Sequence, residues 1–138
     1  MNDRAQPGDG ASARAALALF DSLAPLSVEE MLGDWRGRGV PTGHPFDGAL
    51  EALGWHGKRF DGPDHAHPLV FARPGGERFS LNPSLVPLGL ALRLGPALTA
   101  PALARAVRRL LPVLATRKPR ARLRSLAFRG VASAAMIY

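Results

Sequence analysis

A chain of 138 residues has room for one domain around one core. Hydrophobic (46%) and charged (21%) fractions are globular, while thirteen prolines and fifteen glycines argue against a helical bundle. The lack of cysteine excludes disulfides, thiolate metal sites and a thiol nucleophile, and fits a reducing cytoplasm.

Residues 1–12 read as a disordered tail of small and polar residues. From Ala13 the pattern turns helical through Leu17, Phe20 and Leu23, and Pro25 ends it. Ser27 stands three residues before Glu30, a capping-box spacing that predicts a second short helix. In "GDWRGRGV" (33–40) alternation predicts a strand with Trp35 on one face and Arg36 and Arg38 on the other. Glycines on the tryptophan's side let such a strand bend sharply or let another backbone cross it.

"VPTGHP" reads as a turn, "PFDGALEAL" as a short helix and "GWHGKRF" (54–60) as a strand. "DGPDHAH" is a turn, "PLVFAR" (68–73) a strand, "PGGE" a hairpin turn and "RFSL" (78–81) its return. "NPSLVPLGL" reads as an irregular crossing loop. The stretch Leu85–Leu98 is the most apolar, but Pro87, Gly89, Arg93, Gly95 and Pro96 break it and it is too short to span a bilayer, so membrane insertion is not expected. The clearest helix is 101–115, with Leu103, Val107, Leu110, Leu111 and Leu114 on one stripe, Arg105, Arg108 and Arg109 opposite, and Pro112 ending it. Two last strands, 121–128 and 131–138, meet at Arg129–Gly130.

Net charge is +7, and its distribution is uneven: residues 101–138 hold nine Lys/Arg and no acid. Taken alone, that asymmetry points to nucleic acid or an anionic surface. The chain also stops in a strand. This predicts either a truncated sheet or a homodimer formed through the open edge.

"GDWRGRGVPTGHPFDGALEALGWHGKRF" followed by "HPLVF" resembles the GXWXG domain family, and "RKPRARLRSLAFRGVASAAMIY" resembles the start of its companion domain. The resemblance implies one domain over 13–138, with the GXWXG part at 18–82 and the companion part at 116–138. Relatives are expected to continue into an Asp-rich segment, which would offset the basic end, so nucleic acid is not the expected partner. More distantly, "GDWRGRG" is similar to the opening strands of lipocalins and nitrobindin-like haem proteins. The implied fold is mainly β with flanking helices (α+β), a lipocalin-like antiparallel β-barrel incomplete at its C-terminus.

That barrel would hold a small apolar or amphipathic ligand. Its expected contacts are Trp35, Trp55, Phe60 and Phe71 as apolar walls, with His44, Lys58, His67 and Arg129 orienting a polar group. Trp35 reads first as a barrel plug, with Arg129 or Arg122 stacking on it. His44 and His67 read first as turn-fixing groups. His65 and His67 have zinc-pair spacing but sit in a turn, and no histidine follows His67 to ligate haem, so no cofactor is expected. No triad, paired carboxylates or phosphate loop occurs, so the reading is a binding protein and not an enzyme. The alternative is an interaction module that engages a partner protein or anionic surface through its basic helix and open sheet edge.

Overall fold

The computed structural model describes residues 13–138; the tail expected at 1–12 lies outside the described residues. Helix α1 (Ala13–Ser22) leads into a single turn at 28–31. The capping box there does form: Ser27 N–H donates to Glu30 Oε2 (2.8 Å) and Glu30 N–H to Ser27 Oγ (3.2 Å). It closes one turn and not the expected helix, because Gly33 already starts a strand.

Strands β1 (Gly33–Arg36), β2 (Trp55–Gly62), β3 (His65–Ala72), β4 (Arg78–Leu81) and β5 (Ala115–Thr116) form one antiparallel sheet in chain order. Helix α2 (Ala49–Ala52) lies between β1 and β2, and α3 (Leu88–Leu94) and α4 (Pro101–Leu110) between β4 and β5. Strands β6 (Arg122–Phe128) and β7 (Val131–Ile137) form a separate hairpin. Both residues of its turn have positive φ, Arg129 at 52° and Gly130 at 80°, as a two-residue hairpin of matching twist requires.

The fold is therefore mixed α and β with antiparallel sheets, and among the described residues these do not close into a barrel. The start of the hairpin is tied to the meander by the bridge between Ala66 and Ala121, by Arg120 N–H donating to the Ala66 carbonyl (3.0 Å) and by Leu123 N–H donating to the Pro63 carbonyl (2.6 Å). Residues 82–90, expected as an irregular crossing loop, hold a 3₁₀ turn (Pro83–Leu85) and the start of α3, which a second 3₁₀ turn (Gly95–Thr99) follows. Pro87 stands just before the first helical residue, where its missing N–H is no loss.

Two small cores replace the single one expected. Trp55 and Phe71, register partners at one end of the β2–β3 ribbon, pack with Leu53, Leu81, Leu98, Val107 and Leu111 under α2 and α4. Phe60 and Ala66, partners at the other end, pack with Ala121, Leu123, Val28, Met31 and Met136. Irregular register at Trp55/Gly57, Gly57/Arg59 and Phe60/Gly62 bends β2 between the two cores. Helix α4 departs from its expected stripe: Leu110 is 67% exposed, while Arg108 turns inward and donates from Nη2 to the Ala72 carbonyl (3.0 Å).

Candidate functional site

The glycines about Trp35 have specific tasks. Gly57, with φ +151°, lies under β1 so closely that a Cβ would overlap the Trp35 carbonyl. Gly37 donates its N–H to the His56 carbonyl (2.7 Å), and a Cβ there would stand inside the Trp55 ring. The motif thus lays an edge strand over one tryptophan. Trp35 itself is 39% exposed on that edge, with its indole N–H donating to the Met31 carbonyl (2.7 Å). It is not a barrel plug, and among the described residues neither Arg129 nor Arg122 stacks on it: Arg129 pairs with Asp21 (2.7 Å), and a cation–π contact forms elsewhere, with Arg73 over Phe79 at 5.5 Å from the centroid.

Residues 18–76 match the GXWXG protein family. The matched segment runs from within α1 to the β3–β4 turn, so the first core is shared between it and the elements from β4 to α4. A crystal structure of a protein from Thermomonospora curvata is also similar, with TM-score 0.59 and 34% identity over 95% of this chain. The match spans 66% of that protein's length. No curated protein matches.

The residues expected to line one cavity are not gathered around one. Trp55 and Phe71 lie in the first core, where Phe71 stacks with Phe79 at 6.1 Å, and Phe60 lies in the second. Lys58 faces Trp35 across the β1–β2 ladder and makes a long contact to the Pro68 carbonyl (3.4 Å); burial lowers its pKa. His44 sits within the turn of the GXWXG segment. Its Nδ1 accepts from Phe46 N–H (3.2 Å), and Asp47 Oδ2 holds the same turn by accepting from Thr42, Gly43 and His44. Those three amides, Thr42's first, keep the Asp47 carboxyl below its usual range.

His67 is 3% exposed, with Nε2 3.4 Å from Asp61 Oδ2 and Nδ1 lacking a partner. Burial, then the Arg59 charge, depresses its pKa against the opposing pull of Asp61. Among the described residues no three His, Cys, Asp or Glu side chains gather to hold a metal ion, and no helix is long and apolar enough to cross a membrane.

Two of the expected residues border apolar clefts: His44 lines a space of about 460 Å³ with Val40, Pro41, Phe46 and Leu50, and Arg129 lines another. The latter, of about 480 Å³, lies between α1 and the β6–β7 hairpin and is lined by Phe20, Leu23, Leu26, Met31, Phe128 and Val131. Phe20 and Phe128 meet edge to face at 6.1 Å, yet remain 57% and 50% exposed. Sequence reading missed this pairing because helical and strand periodicities each assign a face without saying which faces meet.

Proposed function

We propose that the protein binds a small amphipathic molecule in the cleft between α1 and the β6–β7 hairpin, its polar end held by Arg129. The carrying observation is the pair of half-open phenyl rings beside one guanidinium. Covering about 100 Å² of apolar wall contributes roughly 2.5 kcal/mol before the entropy of immobilisation is subtracted. The guanidinium keeps donors beyond those used on Asp21 and selects a carboxylate or carbonyl. In its finer form the reading is lipocalin-like, the antiparallel strands serving as walls around the ligand.

Fluorescence titration with dansyl-labelled undecanoic acid tests it. Binding is expected for the unaltered chain, lost in Phe128→Asp and weakened about tenfold in Arg129→Gln for the acid but not for its methyl ester. An unaltered chain that ignores the probe, or a Phe128→Asp variant that binds as well, overturns the reading.

The interaction-module reading keeps one supporting observation. The outer edge of β7 makes a single backbone bond among the described residues, Ala134 N–H to the Leu26 carbonyl (2.9 Å), beside the exposed Ile137 and Tyr138. A concentration-dependent dimer in sedimentation, unaffected by the probe, would favour it instead.

A further inference from the structure

A third cleft, of about 490 Å³, lies across the β3–β4–β5 side of the meander and has the opposite character. Arg59, Arg73, Arg78 and Arg117 line it with Ser80 and Thr116, and Glu77 is the one carboxylate among its lining residues. Register places Ser80 between Val70 and Thr116, on the face that alternation turns away from Phe71, Phe79 and Leu81.

Most of these arginines are positioned from behind. Arg59 spends Nε on Asp61 (3.2 Å), Arg73 spends Nε on Glu77 (3.2 Å), and Arg78 spends Nη1 on Asp34. A guanidinium carries five N–H donors, so both terminal nitrogens of Arg59 and Arg73 stay uncommitted in these pairs. Arg117 has no carboxylate partner among the described residues. Thr116 Oγ1 accepts from Lys118 N–H (3.1 Å), which leaves its own proton to donate.

An independent observation points the same way. Ser80, a residue of this cleft's lining, is 6% exposed, and its buried hydroxyl has no hydrogen-bond partner. A buried hydroxyl without a partner is costly in a folded chain, and an acceptor arriving in the cleft would satisfy it. From the arginine forks and this unsatisfied donor, we infer that the cleft binds the phosphate group of a phosphorylated small molecule. Planar guanidinium forks match phosphate oxygens in pairs, and Arg117 supplies charge not already neutralised.

Inorganic phosphate is the probe. At constant ionic strength, replacing chloride by about 10 mM phosphate should raise the melting temperature of the full chain and shift the amide resonances of Ser80, Thr116 and Arg117. Arg117→Gln should weaken the phosphate affinity about tenfold. Ser80→Ala should melt no lower than the unaltered chain in chloride, and should lose part of the gain from phosphate. Arg109→Gln, an exposed cation on α4 outside the cleft, should leave the affinity unchanged. Equal weakening by Arg109→Gln and Arg117→Gln would show diffuse charge attraction and overturn the site. So would an unaltered chain that does not respond to phosphate, or a Ser80→Ala variant that keeps the full gain.

Discussion

Gly37 and Trp55 are a single packing decision made by two residues far apart in the chain. Because a methyl at Gly37 would enter the indole, Gly37→Ala should destabilise the fold by about 1–3 kcal/mol in urea unfolding. Adding Trp55→Leu should give back part of that loss, so that the double variant is more stable than the two single losses add up to. Additive losses would mean that the glycine serves the backbone instead. The motif showed in the sequence that bulk had to be absent near the tryptophan. It did not show that the ring lying against Gly37 belongs to the second tryptophan, because alternation along a strand says nothing of the neighbouring strand.

His67 carries the clearest pH dependence. Its folded pKa lies below that of the unfolded chain, so the unfolded state takes up a proton first as pH falls below about 6.5. Its neutral burial is therefore unopposed above that pH, and stability declines as pH drops through the unfolded pKa toward the folded one. Arg59 strengthens this trend, while Asp61 opposes it. Denaturation midpoints at neutral and mildly acid pH should converge more closely in His67→Gln than in the unaltered chain. An equal decline in both would assign the trend to other groups.

Among the elements, the β6–β7 hairpin is supported unevenly along its length. Two-stranded hairpins alone are marginal in water. This one is anchored near its open end, by Leu123 in the second core and by Arg124, which pairs with Asp64 at 2.5 Å. Its turn end has the Arg129–Asp21 pair and half-exposed Phe128 and Val131, and exposed ion pairs contribute little. Amides at Leu126–Ala132 are therefore expected to exchange at least about tenfold faster than those at Leu123 and Met136. Uniform protection would mean that the cleft against α1 is a packed interface. The turn was legible from Arg129–Gly130 and the flanking alternation, as was the β3–β4 hairpin from "PGGE". Helix α3 was not, since Pro87, Gly89 and Gly95 mask its period and exposed Leu88, Leu90 and Leu92 give it no apolar stripe.

For the molecule as a whole, the charge asymmetry of the sequence is partly undone by folding. Arg124 and Arg129 from the acid-free end meet Asp64 and Asp21 from the rest of the chain, and Arg108 is drawn onto a carbonyl over the first core. Composition reported the imbalance correctly but could not report where the chain would bring the opposite signs together. The same limit applies to the candidate site. The sequence offered eight contacts for one cavity, and the fold divides them among two cores, strands β1, β2 and β3, and two separate clefts, because a meander separates residues that a closed ring would gather.

The bent β2–β3 ribbon has a bearing on how such a chain tolerates change. Packing at Trp55 and Phe71 is solved with α2 and α4, and packing at Phe60 and Ala66 with the hairpin, while the irregular register between them relieves each end of the other's spacing. Substitutions that compensate one another should therefore gather within one end of the ribbon. The two ends can drift at separate rates and exchange as blocks between relatives, provided that the crossing at Gly57 is kept.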